Sequence, residues 1–251
     1  MPLISSSDQD QLRTAFADMT RAVRLVFFTQ TLGCETCLQT RQILDELPLL
    51  SDKISIEEVN LILEADKAAA FGVDRAPAVA ITYLESPPGS ADPPGPADPP
   101  GPADPPGPAN PPGPANEVWT DSRIRFLGTP GGYEFVSLVQ AVLLAGGRVP
   151  QLSEASLQRL AAVDRPVTMH VFTTPTCPHC PRAVSLAHEM AFASPHITAY
   201  AVEATEFPDL TRRYRVNGVP KTVVDGEIEI LGALAEEAFV EQALERFAIR
   251  N

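Results

Sequence analysis

The four cysteines of this chain fall into two matched pairs, Cys34-Glu35-Thr36-Cys37 and Cys177-Pro178-His179-Cys180. Two thiols at this spacing can close into a disulfide and reopen to a dithiol, and the attacking species is the thiolate. If each pair opens a helix, its first sulfur faces unsatisfied backbone N–H groups and the positive end of the helix dipole. Cys34 and Cys177 are then the nucleophiles. Cys37 and Cys180, one helical turn on, close the ring and release the partner. Lowering a thiol pKa from ~8.5 to ~7 raises its thiolate fraction about fifteenfold at neutral pH. The accompanying loss of nucleophilicity leaves a net gain of only about threefold. Thiolate stability therefore matters chiefly for leaving-group ability and reduction potential.

The two pairs are tuned differently. His179 beside Cys177 favours a charged sulfur, and Pro178 and Pro181 fit a first helical turn, where a missing N–H costs little. Glu35 suits a helix N-terminus but repels a neighbouring thiolate. The expectation is a higher pKa at Cys34 than at Cys177, with the second site the more oxidising.

A duplicated frame positions these residues. The same interval, 43 residues, separates Cys34 from Pro77 and Cys177 from Pro220. Phe71-Gly72-Val73-Asp74-Arg75-Ala76-Pro77 aligns with Tyr214-Arg215-Val216-Asn217-Gly218-Val219-Pro220. Each pair follows an apolar, β-branched run that reads as a buried strand, Val23 to Thr29 and Val167 to Thr173. A helical pattern follows, carried by Leu38, Ile43, Leu44 and Leu47 and by Ala183, Val184, Ala187, Met190 and Ala191. Next come strands Ile54 to Val59 and Ile197 to Val202, then short helices Ala65 to Phe71 and Pro208 to Tyr214. The prolines, candidates for cis peptide bonds, open strands Ala78 to Leu84 and Thr222 to Val224. Final strands end at Leu127-Gly128 and Leu231-Gly232, with closing helices Glu134 to Leu144 and Glu236 to Phe247. Extra helices, Asp8 to Met19 and Ser153 to Ala162, precede the two units.

The fold class is thus α/β, two tandem βαβα-ββα units with a central mixed sheet flanked by helices. The units are expected at residues 1–149 and 150–251. The first hairpin carries about 39 extra residues, mostly a Pro- and Gly-rich tract at 87–116. Its glycines (95, 101, 107, 113) recur every sixth position, which excludes a collagen helix. The tract reads as a solvated, polyproline-II-rich, disordered insertion.

Composition narrows the function classes. A formal net charge of −13 argues against nucleic acid and an anionic membrane surface as partners. No apolar run reaches the ~18 residues a spanning helix needs. Met1 to Gln11 is polar and lacks a secretory pattern. A cytoplasmic protein is expected, where paired cysteines are more often catalytic or metal-binding than structural.

With these motifs in hand, the sequence resembles the protein disulfide oxidoreductases of thermophilic archaea and bacteria, the glutaredoxin-like or PDI-like tandem thioredoxin-fold proteins. The match rests on Gly72-Val73-Asp74-Arg75-Ala76-Pro77, on Ile124-Arg125-Phe126-Leu127-Gly128 with Gly132-Tyr133-Glu134-Phe135, and on Thr174-Pro175-Thr176-Cys177-Pro178-His179-Cys180-Pro181. The resemblance implies two thioredoxin-like units with redox-active disulfides Cys34–Cys37 and Cys177–Cys180. It also implies cis prolines at Pro77 and Pro220, whose preceding residues, Ala76 and Val219, offer backbone groups to a substrate peptide. The implied activity is reduction, oxidation or isomerisation of protein dithiols and disulfides. No bound cofactor or metal is implied; electrons come from a thioredoxin-reductase-like flavoenzyme. Two departures stand out: His179, where the family often has tyrosine, and the Pro-rich insertion.

Two rival readings are weighed against this one. The first is an electron-relay module serving a peroxiredoxin or alkyl hydroperoxide reductase system. The second is a four-cysteine metal site, which requires the two pairs to converge. Glu58 and Glu203 could supply a buried carboxylate but read more simply as solvated strand-end charges. His170, His188 and His196 read as packing or surface residues, and Trp119 lies away from either pair.

Overall fold

The computed structural model describes residues 4–85 and 118–247. The Pro-rich tract at 87–116 lies outside the described residues. Among the described residues, eight strands form one sheet: β1 (Val23–Thr29), β2 (Ile54–Asn60), β3 (Ala78–Leu84), β4 (Trp119–Leu127), β5 (Val167–Thr173), β6 (Ile197–Glu203), β7 (Lys221–Val224) and β8 (Ile228–Leu231). Their order is β2-β1-β3-β4-β6-β5-β7-β8. The first four strands and the last four repeat one pattern, a parallel pair followed by antiparallel neighbours. The halves join where β4 runs parallel to β6, from Ile124 opposite Ala199 to Leu127 opposite Val202.

Period-two alternation explains the layers. In β1, Val23, Leu25 and Phe27 face one core while Val26 and Phe28 face the other. Along β5, Val167, Met169 and Val171 join the first core and Phe172 the second. Both cores run across both halves, so burial on each face is shared rather than divided. The first face is covered by α1 (Ser6–Ala17), α2 (Cys37–Asp45), α4 (Tyr133–Ala145), α5 (Glu154–Ala161), α6 (Cys180–Ala193) and α8 (Glu236–Ala243). The short helices α3 (Ala65–Ala70) and α7 (Pro208–Arg213) cover the second. Serine N-caps start α1 and α5: Ser5 accepts from the Asp8 N–H and Ser153 from the Ser156 N–H.

Two arginines of β4 are anchored through their guanidinium groups, and one of them, Arg123, ties the halves together. Arg123, at a positive φ of 62° in β4, donates Nε to the Ala191 and Ser194 carbonyls at the end of α6. Arg125 is 2% exposed and forks onto Asp121 at 2.7 and 2.5 Å while donating to the Phe71 carbonyl. A guanidinium survives such burial only because several of its donors are matched.

Three local expectations change. Leu38 is 72% exposed, because α2 turns Cys37, Thr40 and Leu44 inward and Leu38 falls on the solvent side. Pro178 lies in the turn ahead of α6 rather than in its first turn; Pro181 alone occupies that turn. The last helix stops at Ala243, and a 3-10 turn over Glu245–Phe247 replaces its continuation.

Candidate functional site

Each pair is disulfide-bonded, with Cα atoms 5.5 Å apart in both. The second cysteine of each is the first residue of its helix: Cys37 begins α2 and Cys180 begins α6. Cys34 and Cys177 therefore lie just ahead of helix N-termini, where unpaired N–H groups and the dipole favour negative charge. Cys37 and Cys180 are buried, Cys177 is 8% exposed, and Cys34 is half-buried. Glu35, Pro178 and His179 all face solvent.

Sheet register brings the proline loops to the cysteines. Phe28 pairs with Ala78 and Phe172 with Lys221, so Pro77 and Pro220 stand beside the strand ends that lead into the pairs. The Ala76–Pro77 and Val219–Pro220 peptides are both cis. The repeat extends to single hydrogen bonds: the Gly128 N–H donates to the Pro77 carbonyl and the Gly232 N–H to the Pro220 carbonyl, each at 2.9 Å. Beside the second loop lies an open groove of 560 Å³, lined by Asn217, Gly218, Val219, Lys221 and Leu231. Both prolines are buried, while Ala76 and Val219 are half-buried.

β1, β4, β5 and β6 all run in the same direction, so both pairs open on one rim of the sheet. Four strand spacings separate β1 from β5, roughly 19 Å at ~4.8 Å each. The four sulfurs do not converge, and the four-cysteine metal reading fails on that geometry.

Between the pairs lie three glutamates. Glu134, in the first turn of α4, is 4% exposed, and its carboxyl accepts from the Thr173 hydroxyl at the end of β5. Burial pushes its pKa up to about 8, the Thr173 hydrogen bond offsets part of this, and the nearby Glu203 and Glu206 charges add to it. Glu203 ends β6 and is 2% exposed, which corrects the reading of a solvated strand-end charge. One of its oxygens accepts from the Thr205 hydroxyl and the Glu206 N–H, both at 2.7 Å. Glu58 is exposed and ion-paired with Arg41, so it is no buried acid. Sequence reasoning missed Glu134, whose place in the first turn of an otherwise apolar helix reads equally well as a dipole-favouring charge.

The histidines read as packing residues do pack. His188 is buried edge-on to Phe126, and desolvation lowers its pKa to about 3. His170 stacks against Tyr200 and Tyr214, and burial lowers it to about 4.

A family model for the thioredoxin domain matches residues 167–245. The thioredoxin of Methanocaldococcus jannaschii is 35% identical over 81 residues, covering 32% of this chain and 95% of that protein. The chain belongs to the thioredoxin family. Its architecture is two thioredoxin folds in tandem, fused through β4 and β6. The NTD_N/C domain of alkylhydroperoxide reductase AhpF from Enterococcus faecalis superposes with a TM-score of 0.77 at 25% identity, covering 96% of this chain and 99% of that one. A protein disulfide oxidoreductase from Aeropyrum pernix K1 gives 0.76 at 25%, covering 96% and 93%. The F component of Pseudomonas putida alkyl hydroperoxide reductase is 29% identical over 132 residues, 49% of this chain. That stretch is 25% of the Pseudomonas protein, so the chain matches about a quarter of these curated relatives' length.

Proposed function

We propose that this protein is a thiol–disulfide oxidoreductase acting on protein disulfides through Cys34–Cys37 and Cys177–Cys180. One observation carries the reading: both pairs combine a bonded Cys-x-x-Cys, a helix N-terminus behind the first sulfur and a cis-proline loop alongside. In the reducing direction, the Cys34 or Cys177 thiolate attacks a substrate disulfide and expels one substrate thiolate, which takes up a proton. Cys37 or Cys180 then loses its proton and attacks the mixed disulfide. The second substrate thiol leaves and the ring disulfide remains, so two electrons have passed to the substrate. Oxidation is the reverse sequence. Ala76 and Val219, beside the prolines, are the residues we assign to hold an extended substrate backbone. Glu134, protonated near neutrality, is the group we assign to exchange a proton with the second pair.

The dithiol is regenerated by a thioredoxin-reductase-like flavoenzyme, with the cytoplasm as the proposed setting. The two units are taken to divide at residues 149 and 150, between α4 and α5. A second reading has its own support, the likeness to AhpF: an electron relay from a flavoenzyme to a peroxiredoxin.

Insulin reduction and reactivation of scrambled ribonuclease, measured on the unsubstituted protein, Cys34→Ser and Cys177→Ser, test the first reading. Activity in the unsubstituted protein that falls in each variant supports it. Turnover of a peroxiredoxin with none of insulin favours the relay.

A further inference from the structure

The second half of the chain places a carboxylate at the first redox pair. Thr36 lies between Cys34 and Cys37 and is the N-cap of α2, yet its hydroxyl does not cap the helix. A threonine there normally accepts from the N–H two or three residues on. Here it donates to Glu206 Oε2 at 2.5 Å. Glu206 Oε1 accepts the Thr129 N–H at 2.8 Å, and the Glu206 N–H is held by Glu203 at 2.7 Å. Thr129 and Thr40 share a hydroxyl contact of 2.9 Å that completes the link to α2. The glutamate is fixed from both ends and its charge stands at the mouth of the helix.

The repeat supplies the second pair with no counterpart of Glu206. The frame that carries Cys34 onto Cys177 carries Thr36 onto His179, which is exposed, and Glu206 corresponds to Leu63, 83% exposed. The asymmetry follows from topology. The loop after β6 abuts the first half because β6 joins β4, whereas β2 lies at the outer edge of the sheet.

We infer that Glu206 is a positioning residue for Cys34–Cys37 that makes this pair the more reducing of the two. The inference rests on the oxidoreductase reading above. The carboxylate occupies the region of positive potential that would otherwise favour a Cys34 thiolate. Destabilising the thiolate disfavours the dithiol and lowers the reduction potential, the converse of the strong oxidants whose reduced form is stabilised. Electrons then fall from the first pair to the second.

The test is the equilibrium of each pair with glutathione, in which the disulfide and two glutathione thiols give the dithiol and one glutathione disulfide. Each pair is read alone, with the other replaced by serines. Glu206→Gln keeps the shape, leaves its oxygen to accept the Thr129 N–H and turns its NH2 toward the Thr36 hydroxyl, which then accepts. Both contacts persist without the charge, so a purely structural role would leave the potential unmoved. The expected result is a shift of the first pair toward dithiol by about three- to tenfold, tenfold being about 30 mV for this two-electron couple. The second pair should stay within about twofold, and Glu206→Asp should keep the first pair near its original value. Thr36→Val, which releases the carboxylate, should move the first pair the same way by a smaller factor. An unchanged first pair in Glu206→Gln, or equal shifts in both pairs, overturns the inference and leaves the oxidoreductase reading standing. A first pair that never exchanges with glutathione in the protein retaining Glu206 overturns both.

Discussion

Gly132 sits directly against the backbone of Pro175, two residues before Cys177, so that a β-carbon at position 132 would overlap the Pro175 carbonyl oxygen. The contact is sealed by the Tyr133 N–H, which donates to that carbonyl at 2.9 Å. Gly132 also has φ +57°, where a side chain is strained whatever the space. The start of α4, in the first half, thus props the loop that carries the second redox pair. Gly132→Ala is expected to destabilise the protein by about 2–3 kcal/mol and to slow thiol exchange at Cys177, with Cys34 unaffected. Urea denaturation and alkylation rates of the two cysteines check this.

Glu134 gives a pH signature. Its folded pKa of about 8 lies above the ordinary value of 4.5, so the folded state holds this proton more tightly than the unfolded chain. Stability therefore declines as pH rises from about 4.5 through 8, at a cost reaching about 4–5 kcal/mol at full ionisation. Glu134→Gln should match the unsubstituted protein near pH 5 and exceed it in urea midpoint at pH 9. If Glu134 also serves the second pair, the same variant loses the limb near pH 8 in the rate at Cys177.

Cys34 should titrate above Cys177. Glu35 and the Glu206 carboxylate act against the thiolate of the first pair, and His179 favours that of the second. Thiolate absorbance, followed on Cys37→Ser and Cys180→Ser, reads the two nucleophiles separately. A lower pKa at Cys34 overturns the ranking.

Acid stability should depend on His188. Its folded pKa, lowered to about 3 by burial, lies below that of the unfolded chain. The stability it permits is complete above about pH 6.5 and erodes as pH falls from there toward 3, by about 2–3 kcal/mol at pH 4.5. His188→Phe keeps a ring against Phe126 and removes the titration. Its loss of stability between pH 7 and 4.5 should be smaller by that amount, measured by urea denaturation at the two pH values.

Much of the fold was legible in the chain because its signals are local. β1 and β5 announce themselves by β-branched and aromatic runs, and the equal cysteine-to-proline interval places β3 and β7. Leu38 misled because a helix starting at Cys37 gives position 38 too little of the apolar stripe to be pulled inward. Glu134 and Glu206 were illegible for a different reason. Their partners, Thr173 and Thr36, lie 39 and 170 residues away. Both contacts exist only because β4 docks on β6, a join between halves that no periodicity within either half encodes. The same join buries Glu203, which by sequence alone ends a strand in water.

The common rim sets a length scale for what these disulfides can meet. At ~3.4 Å per residue, a fully extended peptide needs about six residues to stretch over the gap of roughly 19 Å. A tripeptide thiol touches one pair at a time and must diffuse to reach the other. A protein segment drawn straight along the rim can lie on both together, which makes substrate length itself a variable that distinguishes the two-pair molecule from either pair working alone.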